Sequence, residues 1–212
     1  MTAIGMMAAM AAAVMATLAG AAQAAPQKAV IAGGCFWCVE ADMEKLPGVI
    51  SAVSGYTGGM LDNPTYQDVT GGGTGHYEAV EVTFDDSQIS YPDLIHAFLR
   101  SIDVLDAGGQ FCDRGDSYRT AIFVDGKAQR EAAATAIAEA ERDLGQKVVT
   151  KILDLRTFWP AEDYHQGYYQ SSEYTITRRG PMQRQNAYAF YREACGRDAR
   201  VKQVWGAEAL AH

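Results

Sequence analysis

The chain has 212 residues, a formal net charge of −8, 48% hydrophobic residues and 21% charged ones. An acidic balance of this size argues against a nucleic-acid surface, and the apolar fraction is enough for one domain of ordinary size with a real core. The cysteines do not look like a disulfide framework, because Cys35 and Cys38 are adjacent while Cys112 and Cys195 stand apart.

The amino terminus reads as a leader. Met6 to Ala25 is almost wholly Ala, Met, Val, Leu and Gly, and Ala22-Gln23-Ala24 is a small-x-small cleavage site. No Lys or Arg precedes Lys28, unlike the usual positive start of a signal peptide. The apolar core, roughly 15 residues, is shorter than the ~20 a spanning helix needs. The expectation is a signal peptide over 1–24 and a single domain over 25–212, periplasmic or secreted and without a membrane anchor once cleaved. A leader that is not a functional signal would instead leave the protein cytoplasmic.

Ala29-Val30-Ile31-Ala32 reads as a short buried strand, followed by Gly33-Gly34-Cys35-Phe36-Trp37-Cys38. Phe36, Val39, Met43 and Leu46 then recur at helical spacing. Cys35 therefore stands where a strand ends and a helix begins. Free N–H groups and the positive helix end favour a thiolate there, the nucleophilic form of cysteine.

Val49 to Tyr56 reads as a strand, and Thr57 to Gly75 as a glycine-rich loop with Tyr66 in its middle. No helix start with Lys-Ser or Lys-Thr follows, which argues against a phosphate cradle. Tyr77 to Asp85 alternates as a strand whose parity sets Glu78 on the apolar face with Val80, Val82 and Phe84. A desolvated carboxyl has a raised pKa and can donate a proton near neutral pH. The plainer reading is that Glu78, at the strand's start, escapes to solvent or pairs with an arginine.

Ser90 caps a helix through about Ser101, with Leu94, Ile95, Phe98 and Leu99 as its stripe. Tyr118 to Val124 is a strand ended by Asp125-Gly126. Ala128 to Leu144 is a long helix stopped by Gly145, and Val148 to Leu155 is a strand. Phe158 to Tyr191 reads as an aromatic, irregular tail before Cys195-Gly196-Arg197. Strands alternating with helices give an α/β or α+β sandwich around one sheet.

Taken singly, Tyr66 and Tyr118 read as packing residues, Asp113 as a turn cap, and Phe36 and Trp37 as core. His76, His96 and His165 lack the i, i+4 spacing of a helical metal pair and read as structural. Cys35-x-x-Cys38 is half of a zinc site, but Cys112 and Cys195 do not form the other half. It is also a disulfide exchanger's motif, although with bulky aromatics at the x-x positions.

With these residues assembled, the chain resembles the type A peptide methionine sulfoxide reductases. The resemblance runs through Gly34-Cys35-Phe36-Trp37, Ser54-Gly55-Tyr56-Thr57-Gly58-Gly59, Asn63-Pro64-Thr65-Tyr66 and Thr74-Gly75-His76-Tyr77-Glu78. It continues through Asp113-Arg114-Gly115, Tyr118-Arg119-Thr120-Ala121-Ile122 and Glu162-Asp163-Tyr164-His165-Gln166. It implies a two-layer α+β sandwich with a mixed sheet and a ferredoxin-like core. It also implies reduction of the S epimer of methionine sulfoxide, free or in proteins, by a monomer without metal or organic cofactor.

In that reading Cys35 attacks the sulfoxide sulfur, Glu78 protonates its oxygen, and Tyr66 and Tyr118 assist with hydrogen bonds. Phe36 and Trp37 wall a methyl pocket, and Asp113 holds water or substrate at its edge. Cys35 sulfenic acid is then resolved to a disulfide that thioredoxin, or a periplasmic thioredoxin-like protein, reduces. Position 38 is more usually glycine in the family, and the residue before Asp113 more usually asparagine; these departures leave the nucleophile in place and the recycling route open. The resemblance favours Cys195 as the resolving thiol, because family members use a cysteine in such a C-terminal segment. Cys38 is the second candidate, with a regular-helix Cβ separation of ~5–6 Å against the ~3.5–4.5 Å a disulfide wants. Cys112 comes last.

Overall fold

The computed structural model describes residues 25–210, so the expected leader lies outside the described residues. The first half of the domain alternates strand and helix. Strand β1 (Gln27–Gly33) leads into helix α1 (Phe36–Glu44), β2 (Val49–Thr57), the short helix α2 (Tyr66–Gly71), β3 (Tyr77–Phe84) and helix α3 (Tyr91–Leu99). A two-residue hairpin, β4 (Gly109–Gln110) and β5 (Asp113–Arg114), precedes β6 (Thr120–Val124), helix α4 (Gly126–Leu144), β7 (Lys151–Asp154) and β8 (Trp159–Pro160). The chain ends in a second hairpin, β9 (Tyr174–Thr177) and β10 (Gly180–Gln183), then helices α5 (Arg184–Ala194) and α6 (Arg197–Trp205).

The main sheet has the order β7-β6-β1-β3-β2-β8, antiparallel except for the β6–β7 pair, and is therefore mixed. Its centre, β6-β1-β3-β2, has the split βαβ–βαβ connectivity of a ferredoxin-like core, as the resemblance implied. Alternate residues of each central strand serve opposite faces. Ile31, Val80, Val82, Phe84 and Ile122 pack under α1, α3 and α4 with Phe36, Val39, Met43, Leu94, Phe98 and Ala136. Val30, Ala79, Ala121 and Phe123 face the other way, covered by Tyr77, Leu153, Leu155 and Phe158. Helices cover one face and chain segments the other, which gives two layers.

Local chemistry explains where sequence reading and structure part. Tyr66 is not mid-loop: Thr65 and Asp68 form a reciprocal capping box, and Tyr66 opens a helix. The strand expected from Tyr118 starts at Thr120, with Tyr118 ending a tight 3₁₀ turn begun at Gly115, whose φ is 118°. The supposedly irregular tail is largely regular, because Tyr188 and Arg192 recur at helical spacing and bury one face of α5. Gly196, with φ 65°, is the left-handed joint between α5 and α6.

Candidate active site

The turn between β1 and α1 needs both of its glycines. A Cβ on Gly33 would sit 2.8 Å from Ile102, and Gly34 has a φ of 81° with Gln110 pressed against it. This close approach sets Cys35 at the N-cap of α1, with φ −49° and ψ 116°. No side chain caps the helix, so its first N–H, that of Phe36, is free to donate to Glu78 Oε2 at 3.0 Å.

Glu78 lies on the helix-covered face of β3 beside Val80 and is 2% exposed. Burial pushes its carboxyl up to about 8, and the charge of Asp113 acts in the same sense. The Phe36 N–H and the Tyr118 hydroxyl moderate the rise by bonding to it. A carboxyl so held is largely protonated at neutral pH.

A cavity of about 60 Å³ opens between Cys35, Phe36, Trp37, Tyr66, Glu78, Asp113, Tyr118 and Tyr191. Its walls are mostly aromatic, and its polar groups are two carboxyls, a thiol and three phenols. Tyr66 and Tyr118 share a hydrogen bond, and burial together with the Glu78 charge raises both phenols, so they stay protonated donors. Trp37 is stacked on Tyr168, ring centroids 3.9 Å apart, and its indole N–H donates to His165 Nδ1 at 3.1 Å. Burial lowers His165 to about 4, which keeps it neutral and able to accept. Each residue that the sequence singled out for the nucleophile, the acid, the helper phenols, the methyl walls and the edge carboxylate is brought to this one cavity.

Two features depart from expectation. Cys35 is not the thiol with the lowered pKa. Burial pushes Cys35 up, and a bond to Cys38 and the nearby acids Glu78 and Asp113 act in the same sense. Cys38 is the lowered one, first through the bond from Cys35 and then through Arg197 and Arg192, against burial and Asp42. Those arginines belong to a buried cluster. Asp42, one turn after Cys38, pairs with Arg192 Nη1 at 2.7 Å and Arg197 Nη2 at 3.5 Å. Tyr188 packs beside Cys38 and its hydroxyl accepts from Arg192 at 2.9 Å.

The second departure concerns Cys195, expected to swing over Cys35. It is instead bonded to Cys112, Cα to Cα 5.1 Å. The pairing follows from the fold: Phe111, with φ 54°, turns the β4–β5 hairpin in two residues and sets Cys112 against the end of α5. The same bond removes both cysteines from any shared metal set with Cys35-x-x-Cys38. The reduced pair beside the cavity is Cys35 and Cys38. The strain expected for that pair assumed a regular helix, but Cys35 is an N-cap with extended ψ, outside the helical geometry.

Sequence reading missed Tyr191. It lines the cavity, and its hydroxyl donates to Asp113 Oδ2. The helical recurrence of Ala187, Tyr188, Tyr191, Arg192 and Cys195 was its only signal.

A family model described as peptide methionine sulfoxide reductase matches residues 27–200. A curated protein of Caulobacter vibrioides, "Peptide methionine sulfoxide reductase MsrA 2", is 50% identical over 188 residues, 87% of this chain and 89% of that one. One of the same name from Rhizobium meliloti is 44% identical over 89% of this chain and 88% of its own. Among solved structures, methionine sulfoxide reductase A of Corynebacterium diphtheriae superposes with a TM-score of 0.61 at 30% identity, over 74% of this chain and 78% of that one. Reduced Mxr1 from Saccharomyces cerevisiae gives 0.64 at 28% identity, over 68% and 83%.

Proposed function

The chain belongs to the peptide methionine sulfoxide reductase family, and from that premise we propose how its residues reduce methionine sulfoxide. The observation that carries the reading is a thiol, Cys35, and a buried, largely protonated acid, Glu78, lining one cavity of side-chain size.

The substrate's S-methyl group enters between Phe36 and Trp37, and its oxygen faces Glu78, Tyr66 and Tyr118. A sulfoxide oxygen leaves sulfur only as it is protonated, so a neutral acid beside a nucleophile addresses the hard step. Cys35 attacks the sulfoxide sulfur, and its proton replaces the one that Glu78 gives up. Glu78 gives its proton to the oxygen, which ends on Cys35 as a sulfenic acid, and the thioether departs as methionine. The fixed placing of methyl wall and acid selects one epimer at sulfur, the S form. Asp113, held by Tyr191, orders the polar edge of the cavity.

Cys38 then attacks Cys35 sulfur. One S–S bond forms, the S–OH bond breaks, and water leaves with the proton of the Cys38 thiol. The adjacency of the two thiols and the occupation of Cys195 by Cys112 support Cys38 as the resolving residue. A thioredoxin or thioredoxin-like dithiol restores the pair. The leader over 1–24 supports a periplasmic or secreted enzyme served by an exported donor. The test is consumption of a methyl sulfoxide with dithiothreitol as donor; a disulfide exchanger would leave the sulfoxide untouched.

A further inference from the structure

Beside the catalytic cavity lies a second, larger hollow of about 270 Å³, between the β9–β10 hairpin and α5. Trp37, Tyr168, Met182, Ala187, Phe190 and Tyr191 line it, and it is open to solvent. Trp37 and Tyr191 line both hollows, so the two adjoin at a shared aromatic ridge. The catalytic cavity alone, at about 60 Å³, takes the end of one side chain.

The rim of the groove is charged in a sense opposite to the whole protein. The net charge is −8, yet the hairpin tip carries Arg178 and Arg179, both exposed and neither ion-paired among the described residues. The Arg179 guanidinium lies 4.3 Å from the centre of the Phe190 ring, which holds it over the groove wall. Arg184, deeper in the same element pair, is already neutralised by Glu173 at 2.5 Å. The groove thus offers an apolar floor and an unsatisfied positive edge.

Building on the reductase reading, we propose that this groove is a subsite for polypeptide substrates. It takes an apolar side chain next to the oxidised methionine, while a carboxylate beyond it meets Arg178 and Arg179. An extended chain advances about 3.3 Å per residue. In this proposal a residue next to the one held in the catalytic cavity lies at the Trp37–Tyr191 ridge that both hollows share, and the chain beyond it runs along the groove toward the hairpin. Free methionine sulfoxide has nothing to place there. The site would make the enzyme favour exposed, oxidised methionines in apolar, acidic stretches of protein.

The experiment is single-turnover reduction by the full protein, without recycling donor, of blocked methionine sulfoxide and of pentapeptides. In the peptides, leucine and glutamate stand before or after methionine sulfoxide, or glycine fills every other position. The expected result is that at least one leucine–glutamate order is reduced about tenfold more efficiently than the glycine peptide, the scale of one apolar pocket contact. Phe190→Ser and the double change Arg178→Glu, Arg179→Glu should each remove most of that preference. Both should leave blocked methionine sulfoxide unchanged, which also reports that the variant folds. If Phe190→Ser unfolds, the surface charge pair carries the test alone. Equal rates for all peptides in the parent protein would overturn the subsite while leaving the reductase reading intact. So would variants that alter only the thioredoxin dependence of steady turnover, since the groove would then dock the reductant. Absence of turnover with blocked methionine sulfoxide would instead sink the reductase reading itself.

Discussion

The Tyr191 hydroxyl donates to the Asp113 carboxylate, and the disulfide joining Cys112 to Cys195 ties the same two segments together one residue and one helical turn away. The carboxyl-terminal helix is therefore fastened to the cavity twice, once covalently. It brings Tyr191 to the cavity edge and Arg192 to the Cys38 cluster. This arrangement keeps the Cys112–Cys195 bond apart from the free Cys35 and Cys38 thiols.

The Cys112–Cys195 disulfide has a direct consequence for stability. It closes a sequence separation of 83 residues, and bonds of this kind typically contribute about 2–4 kcal/mol. Cys112→Ser and Cys195→Ser should each lower the urea midpoint correspondingly, and dithiothreitol should abolish the difference from the parent. Single-turnover sulfoxide reduction should persist in both. A Cys195→Ser protein that reduces sulfoxide but forms no disulfide at Cys35 would return the resolving role to Cys195.

Glu78 supplies a test of the acid. Glu78→Gln keeps shape and hydrogen bonding but has no transferable proton, and the reductive step should slow ~10²-fold or more. Because Glu78 is raised to about 8, the parent's rate should be flat below that pH and fall above it, with the fall missing in the variant. A near-normal rate in Glu78→Gln would move the proton to Tyr118 or water.

The same group links pH to stability. A folded-state pKa near 8 against an ordinary 4.5 means that the folded protein holds a proton the unfolded chain has lost. Stability from this residue is therefore unaffected below about 4.5, declines as pH rises from there to about 8, and is constant beyond. Glu78→Gln should gain on the parent in urea midpoint between pH 5 and pH 9. A pH-independent offset between the two proteins would contradict this.

Arg192 and Asp42 should act in opposite directions on the resolving step. Arg192→Met removes a cation that favours the Cys38 thiolate, and Asp42→Asn removes an anion that opposes it. The pH midpoint for alkylation of Cys38 should rise in the first and fall in the second. Equal shifts of one sign in both would show a merely structural role for the cluster.

Much of the site was legible before any coordinates. Strand parity put Glu78 on an apolar face, and the Gly-Gly-Cys turn put Cys35 at a helix start. Both inferences are local, depending on periods of 2 and 3.6 residues. The partner of Cys195 depended on how a two-residue turn at Phe111 meets a helix some eighty residues later, and no local pattern carries that. The thiolate expected at Cys35 is not favoured for a related reason: the helix end is a local feature, whereas burial raises Cys35 and the distant Arg192 and Arg197 act on Cys38. Tyr191 lay hidden in a stretch whose helical recurrence was masked by its many aromatic residues.

The central claim is that Cys35 and Cys38 together carry one round of reduction while the other disulfide stands by. Its most direct measurement adds one equivalent of the S epimer of blocked methionine sulfoxide to donor-free enzyme carrying an intact Cys112–Cys195 bond, then quantifies methionine and maps disulfides by peptide mass. The account predicts one methionine per enzyme, a new Cys35–Cys38 bond and an unchanged Cys112–Cys195 bond. No methionine, or methionine accompanied by a Cys35–Cys195 bond, would contradict it.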